Sequence, residues 1–275
     1  MTTSVVPTSF ADIAVSDSAG AGSAVLMIHG NSSCKEVFRH QLESPLGARL
    51  RLIAMDLPGH GASSDARDPA KAYSLNGYAD AAVEVLARLG VERATVFGWS
   101  LGGHVALNMI SRLPGLTGVM ISGTPPVPGG MEGFALGFKQ NAHMALAGSA
   151  DWAPGDAEAY ARATAGADAP FAPFMLQAAR RTHPIALSTF FADALAGGAD
   201  DQRRIAETAK LPLAIVNGSE DAFINGGYFA SVDYANLWDD QVFSLDGLGH
   251  APFWEAPDRF NPLLERFLAE TSAPL

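Results

Sequence analysis

The chain has 275 residues, of which 48% are hydrophobic and 17% are charged. This composition suits one compact domain with a large buried core and an inserted segment better than two independent domains. The 29 acidic residues outnumber the 18 basic ones and give a formal net charge of -11, which disfavours nucleic acid or an acidic membrane surface as a partner. A neutral or weakly polar small molecule is the expected ligand.

Cys34 is the only cysteine, so neither an intrachain disulfide nor a thiolate metal cluster can form. No lysine or arginine precedes Lys35, and the first apolar run covers only 24–28. A membrane-spanning helix needs about 18 apolar residues, and an export signal needs a basic start. We therefore expect a soluble, cytoplasmic protein that does not span a membrane.

Short buried strands alternate with helical patterns in the first half of the chain. The predicted strands are 24–29, 51–56, 94–97 and 116–121. Between the second and the third, apolar residues recur at helical spacing from a Ser74 cap to a Gly90 stop. Another helix begins near Leu101, after the third strand, and ends at Pro114. This alternation predicts a parallel sheet covered by helices on both faces.

Regular alternation stops at the proline- and glycine-rich stretch 125–130. From there to about Glu207 the sequence is rich in Ala, Phe and Met without strand alternation, and we interpret it as an inserted helical cap. Two strands and a last helix follow, over 213–216, 242–245 and 260–267. The predicted organisation is an α/β core domain made of 1–125 and 208–275, with the cap at 126–207.

The segment Gly98-Trp99-Ser100-Leu101-Gly102 fits the pattern Gly-x-Ser-x-Gly. It lies between a predicted strand and a predicted helix, which is the context in which this pattern forms a nucleophile turn. Such a turn lifts the Ser100 hydroxyl above the sheet, and the backbone N–H of Leu101 can donate to a developing oxyanion. A merely structural glycine-rich turn is the less favoured interpretation.

A serine hydroxyl needs a neighbouring base to become a nucleophile. His250 is the candidate, because it lies in a loop between the last strand and the last helix. The other histidines fall in predicted turns, helices or the cap, and His104 is expected to pack or to support the site. The acid should follow the strand 213–216, where we favour Asp221 and keep Glu220 as the alternative.

The second oxyanion donor is expected in the turn after the first buried strand, His29-Gly30-Asn31-Ser32-Ser33. The backbone N–H of Asn31 is our choice, since Gly30 lets the chain approach the site closely. The Asn31 side chain is a further candidate for a contact with the substrate.

These motifs together resemble the α/β-hydrolase superfamily. The matching stretches are HGNSS at 29–33, DLPGHGAS at 56–63, GWSLGG at 98–103 and GLGHAPFWEAP at 247–257. The resemblance implies a mostly parallel eight-stranded sheet flanked by helices, with Ser100, Asp221 and His250 as a catalytic triad. Stretches at 29–33, 97–104, 123–127, 144–148 and 236–238 resemble, more narrowly, the N-acyl-homoserine lactonases of this fold, which are quorum-quenching enzymes.

In those lactonases a cap tyrosine helps to hold the lactone, and Tyr160 stands at the matching position. By sequence alone Tyr160 is an ordinary helix residue, so its role rests on the resemblance. Relatives can carry Glu where Asp221 stands. The metal-dependent lactonases have a different fold and a His-rich ligand motif that is absent from this sequence, so neither a metal nor another cofactor is expected.

The predicted function is the opening of the lactone ring of N-acyl-homoserine lactones by a serine hydrolase that acts on ester bonds. The oxyanion donors are Asn31 and Leu101. The predicted substrate-binding residues are Tyr160, Asn31, Phe134, Phe138 and Met144, and further candidates for an apolar acyl-chain pocket are Phe171, Phe174, Met175, Phe190 and Phe191. A general carboxylesterase, a carbon–carbon bond hydrolase and a ligand-binding receptor with a hydrolase-like pocket are the alternatives.

Overall fold

The computed structural model describes residues 1–166 and 169–271. Its centre is an eight-stranded sheet. The strands are β1 (Thr2–Pro7), β2 (Asp12–Asp17), β3 (Ala24–Ile28), β4 (Arg51–Met55), β5 (Ala94–Trp99), β6 (Leu116–Ser122), β7 (Leu213–Gly218) and β8 (Phe243–Leu245). Their spatial order is β1-β2-β4-β3-β5-β6-β7-β8. β1 and β2 run antiparallel to their neighbours, and the other strands pair in parallel.

Helices connect the strands and cover the sheet. They are α1 (Arg39–Leu42), α2 (Pro45–Arg49), α3 (Pro69–Ala72), α4 (Leu75–Arg88), α5 (Leu101–Met109), α6 (Gly130–Gly137), α7 (Ala142–Ala147), α8 (Asp156–Ala165), α9 (Pro173–Arg181), α10 (Pro184–Leu195), α11 (Gln202–Thr208), α12 (Pro252–Glu255) and α13 (Pro257–Thr271). Short 3-10 helices occupy Lys35–Phe38, Gly226–Ser231 and Trp238–Asp240. The mostly parallel eight-stranded sheet flanked by helices is therefore confirmed.

Both faces of the central strands are buried. Side chains alternate along a strand, so successive residues pack on opposite faces. On β3, Leu26 packs with one hydrophobic cluster, which includes Val85 of α4. Met27, the next residue, packs with a second cluster on the opposite face, which includes Phe267 of α13. This two-sided burial explains why the central strands are apolar throughout instead of alternating with polar residues.

The strand order reverses beside β3 and so creates the crevice in which the candidate site lies. After β3 the chain passes to β4 on one side, and it returns as β5 on the other side. The loops that leave β3 and β5 therefore diverge at the carboxyl ends of these strands, which is where ligands bind in open α/β sheets. Ser100 follows β5 directly, and Asn31 follows β3.

The segment between β6 and β7 is helical where the cap was predicted. Helices α6 to α10 lie there, and α11 packs against α5. The division into a core at 1–125 and 208–275 and a cap at 126–207 stays a prediction. Across residues 1–166 and 169–271, no helix is both long enough and apolar enough to cross a bilayer.

Candidate active site

Ser100 sits in a strained backbone conformation at the start of α5. Its φ is 54° and its ψ is -119°, a region that residues with a Cβ atom rarely occupy. The turn is possible because its neighbours are glycines. A Cβ on Gly98 would lie 2.2 Å from the backbone oxygen of Gly102, and a Cβ on Gly102 would lie 2.0 Å from the backbone oxygen of Ile28. The backbone thus presents the Ser100 side chain at the sheet edge.

His250 and Asp221 form a buried pair. The distance from Nδ1 of His250 to Oδ2 of Asp221 is 2.7 Å, and each residue is 2% exposed. Oδ1 of Asp221 accepts the backbone N–H groups of Phe223 at 2.7 Å and of Ile224 at 3.3 Å. Because a carboxylate accepts hydrogen bonds, it favours the proton on Nδ1 and leaves Nε2 of His250 as a base.

The neighbours of His250 hold its ring over the sheet edge. The indole N–H of Trp99 donates to the backbone oxygen of His250 at 2.8 Å, and the Phe223 ring lies 4.7 Å from the imidazole between centroids. Gly123, with a φ of 62°, gives the imidazole room, because a Cβ there would lie 2.6 Å from Cε1 of His250. Ser100 and His250 both line the same cavity.

The structure distinguishes between Asp221 and Glu220, the two candidates for the acid that contacts His250. The backbone N–H of Glu220 donates to the backbone oxygen of Leu248 at 2.8 Å, and its side chain is exposed. The Glu220 carboxylate accepts a hydrogen bond from Ser219 at 3.4 Å. Asp221 is therefore the carboxylate that the fold brings to His250.

Two backbone donors are available beside Ser100. In the described part of the chain, the N–H groups of Asn31 and Leu101 donate to no other group. Both residues line the cavity, and Leu101 is the first residue of α5, where backbone N–H groups have no helical acceptor. The Asn31 side chain donates from Nδ2 to the backbone oxygen of Ala147 at 2.8 Å, which ties the turn after β3 to the end of α7.

The cavity is open to solvent, and its empty space, including the part that is open solvent, is about 840 Å³. All five predicted substrate-binding residues line it, and so do two of the further candidates: Asn31, Phe134, Phe138, Met144, Tyr160, Phe190 and Phe191. Its walls are largely apolar, and no lysine or arginine of the described residues lines it. A neutral ligand with an apolar arm fits such walls better than an anion.

Three of the further acyl-pocket candidates are wrong, because they pack away from the cavity. Phe174 lies edge-on to Trp254 at 5.5 Å, and Met175 is buried in the second hydrophobic cluster. Phe171 lies beneath the guanidinium of Arg162 at 4.1 Å. The apolar face of α9 is thus used to attach this helix to α8 and α12.

Burial shifts the pKa values of His104 and Tyr160 in the direction that favours their neutral forms. It lowers the pKa of His104 to about 4, an effect only partly offset by a hydrogen bond to Gln202. Burial also raises the pKa of the Tyr160 hydroxyl, and the nearby Asn31 side chain counteracts part of this increase. Tyr160 therefore faces the cavity as a neutral hydroxyl next to one of the two oxyanion donors.

Sequence reasoning missed several residues of the cavity. Phe223 lines it and contacts His250, but its only signal was its position two residues after Asp221. His104 was expected to pack or to support the site, and it lines the cavity together with Gln202 and Asp200. In the described residues, no cluster of three or more His, Cys, Asp or Glu side chains is placed to hold a metal ion.

Solved structures of a known enzyme are similar to this chain over its whole length. The N-acyl homoserine lactonase AidH, solved in complex with N-butanoyl homoserine, is 43% identical with a TM-score of 0.96, over 100% of this chain and 99% of that chain. A serine-to-glycine variant of AidH, complexed with N-hexanoyl homoserine lactone, is 43% identical with a TM-score of 0.95, over 99% of each chain. The resemblance to lactonases of this fold is confirmed.

A more distant relative is a 2-hydroxy-6-oxononadienedioate/2-hydroxy-6-oxononatrienedioate hydrolase of Pseudomonas sp. It is 28% identical over 277 residues, which cover 94% of this chain and 92% of the relative. The model of the alpha/beta hydrolase family matches residues 25–263 of this chain, from β3 into the last helix. The chain therefore belongs to the alpha/beta hydrolase family.

Proposed function

We propose that this protein is an ester-bond hydrolase that opens the lactone ring of N-acyl-homoserine lactones. The observation that carries the proposal is the similarity to AidH, which extends over the whole chain, including the helices above the site. These helices supply the cavity wall beside Ser100. A shared wall supports a shared substrate class, whereas the fold and the triad alone do not choose among esters.

In the proposed reaction, Oγ of Ser100 attacks the lactone carbonyl carbon while Nε2 of His250 takes the hydroxyl proton. The backbone N–H groups of Asn31 and Leu101 stabilise the oxyanion. Collapse of this intermediate breaks the bond between the carbonyl carbon and the ring oxygen, and the imidazolium returns its proton to that oxygen. Asp221 stabilises the imidazolium through Nδ1.

The product of this first step is an ester between Ser100 and the opened chain, which now carries a free hydroxyl group. His250 then takes a proton from water, and the hydroxide attacks the ester carbonyl. The tetrahedral intermediate releases Oγ of Ser100, which recovers a proton from His250. The net reaction adds one water to the lactone and yields the N-acyl-homoserine.

The substrate is proposed to lie with its ring near Tyr160 and Asn31, while its acyl arm contacts Phe134, Phe138 and Met144. The Tyr160 hydroxyl is neutral, so it can donate a hydrogen bond to a lactone oxygen. Tyr160 is buried and lies beside Asn31. Apolar walls stabilise an alkyl chain by about 25 cal/mol for each Å² of apolar surface removed from water.

The composition of the cavity wall favours a lactone over the dicarboxylates that the Pseudomonas relative hydrolyses. A dianion would need cationic partners, and the described wall contains no lysine or arginine. Asp200, the acidic residue of the wall, is already paired with Arg112 at 2.7 Å. A neutral lactone needs no cationic partner.

Turnover of short- and long-chain N-acyl-homoserine lactones by the purified protein, measured by mass spectrometry of the ring-opened acid, tests the proposal. We expect turnover by the wild type and a loss of about 10³-fold or more in kcat for Ser100→Ala. A panel of p-nitrophenyl esters separates lactone preference from general esterase activity. No lactone turnover above that of Ser100→Ala would reject the proposal.

A fluorophosphonate probe separates an enzyme from a receptor with a hydrolase-like pocket, because only an activated serine is labelled. We expect labelling of the wild type and none of Ser100→Ala.

Ring opening removes the signal form of these lactones, so we propose quorum quenching as the biological consequence. The cytoplasmic location stays a prediction, which cell fractionation would test.

A further inference from the structure

The cavity contains a polar atom to which the proposed reaction assigns no role. His104 is on α5, four residues after Ser100, and both residues line the cavity. The His104 side chain lines the cavity and is 8% exposed. In the described residues its Nε2 atom has no hydrogen-bond partner, whereas Nδ1 lies 2.6 Å from Oε1 of Gln202.

A chain of side-chain amides connects Gln202, the partner of His104, to the guanidinium of Arg112. The guanidinium of Arg112 donates to Oδ1 of Asn76 at 2.7 Å, and a guanidinium can only donate. Asn108 donates from Nδ2 to the same Asn76 oxygen at 2.8 Å, so Oδ1 of Asn108 points away from Asn76. Oδ1 of Asn108 accepts from Nε2 of Gln202 at 2.7 Å.

This chain fixes the position of the proton on His104. Nε2 of Gln202 donates to Asn108 and, at 2.9 Å, to the backbone oxygen of His104. The Gln202 oxygen is therefore the atom that faces Nδ1 of His104. Since a carbonyl oxygen only accepts, Nδ1 carries the proton and Nε2 carries a lone pair.

The imidazole also stays neutral, because burial and the nearby His250 lower the pKa of His104 to about 4. At neutral pH Nε2 is thus an acceptor, without a partner among the described residues, on a side chain that lines the cavity. An acceptor needs an N–H or O–H donor from the ligand. An N-acyl-homoserine lactone has one such donor, its amide N–H, and the amide nitrogen is bonded to the carbon next to the lactone carbonyl.

We propose that Nε2 of His104 accepts the amide N–H of the substrate and so positions the lactone carbonyl at Ser100. This inference rests on the proposed lactonase function and adds a preference to it. The site should favour lactones with an N–H at this position over those without one. His104 is a substrate-positioning residue, and simple esters that lack the donor gain nothing from it.

A pair of substrates tests the proposal on the wild-type enzyme. One is N-hexanoyl-homoserine lactone, and the other is its carba analogue, in which a CH₂ group replaces the N–H. Loss of a buried hydrogen bond that leaves the acceptor unpaired costs about tenfold or more. We expect kcat/KM of the wild type to be at least about tenfold higher for the N–H substrate.

Two variants complete the test. His104→Leu removes the acceptor, so we expect kcat/KM to fall about tenfold for the N–H substrate and little for the carba analogue. His104→Gln can place an amide oxygen near the position of Nε2 and should recover part of the loss. The melting temperature of each variant reports whether the fold is retained.

Equal losses on both substrates in His104→Leu would overturn the proposal, because a packing role affects every substrate alike. Equal kcat/KM of the wild type for the two substrates would overturn it as well, without any need for a variant. If the wild type opened neither lactone but hydrolysed p-nitrophenyl esters, the proposed lactonase function would fail and this proposal with it. That result differs from the preceding ones, in which lactone turnover persists.

Discussion

Asp221 is held on both of its oxygens. Oδ2 contacts Nδ1 of His250, and Oδ1 accepts the backbone N–H groups of Phe223 and Ile224. This second set of bonds fixes the carboxylate in place, so the aspartate can set both the orientation and the tautomer of the imidazole. Glu220, its neighbour, is exposed and has no such contacts.

Replacement of Asp221 by Asn tests this assignment. An amide nitrogen facing Nδ1 would donate, so the proton of the neutral imidazole would shift to Nε2 and the base would be lost. We expect kcat to fall by about 10³- to 10⁴-fold in Asp221→Asn. Glu220→Gln is the matched control, because it removes a charge one residue away, and its kcat should change less than about threefold. Comparable losses in the two variants would contradict the assignment of Asp221.

Sequence patterns indicated Ser100 and His250 as candidates, because a strand, a tight turn and a helix are local features. They left Asp221 and Glu220 open, since adjacent residues in a turn point in different directions, and the contact of Asp221 with His250 is between parts of the chain that a local pattern does not relate. The polar role of His104 was out of reach for a different reason. Its tautomer depends on Gln202, which is 98 residues away in the chain.

The start of α5 fits against β3 because Gly102 has no side chain. A Cβ at this position would meet the backbone oxygen of Ile28 at 2.0 Å, and a backbone atom in a central strand cannot move aside at low cost. We expect Gly102→Ala to lower the free energy of unfolding by about 1–3 kcal/mol, which corresponds to a fall of roughly 2–5 °C in melting temperature. It should also displace Ser100 and reduce kcat.

Calorimetry and esterase assays of Gly102→Ala measure both effects. Gly226→Ala is the control, because a Cβ there has nothing within 4 Å and the residue is exposed. The control should keep the melting temperature and kcat of the wild type. An unchanged melting temperature in Gly102→Ala would mean that α5 does not depend on this close approach.

At the scale of elements, the central strands and α4 could be predicted from periodicity and capping. The Ser74 side chain indeed accepts the N–H of Gly77 at 3.0 Å. The hairpin β1–β2 was missed, because β1 is largely exposed and pairs on one side only, so it lacks a clear apolar pattern. Periodicity also cannot say which neighbour an apolar helix face meets, and α9 therefore turned out to pack on α12 rather than on the cavity.

At the scale of the whole molecule, burial of His29, His60 and His104 couples stability to pH. Desolvation lowers their pKa values to about 4, about 3 and about 4. In the unfolded chain each imidazole titrates near its ordinary pKa of about 6.5. Between these values the unfolded state binds more protons than the folded state, so stability falls as the pH decreases.

His29 gives the most direct test, because both of its ring nitrogens are engaged. Nδ1 lies 2.7 Å from the backbone oxygen of Gly30, and Nε2 accepts the N–H of Leu57 at 3.1 Å. Protonation of Nε2 would set two donors against each other. For a folded pKa of about 4, linkage gives a loss of roughly 2 kcal/mol from this residue between about pH 7 and pH 5.

Urea unfolding of the wild type and of His29→Gln at both pH values measures the contribution of His29 to the pH dependence of stability. Glutamine cannot titrate, so we expect the variant to be less stable at about pH 7 but to lose roughly 2 kcal/mol less than the wild type on going to about pH 5. Between about pH 7.5 and pH 9 His29 is neutral in both states, so the two proteins should change in parallel. Parallel curves at acidic pH as well would show that His29 does not contribute, and the acid sensitivity would then rest on the remaining buried groups.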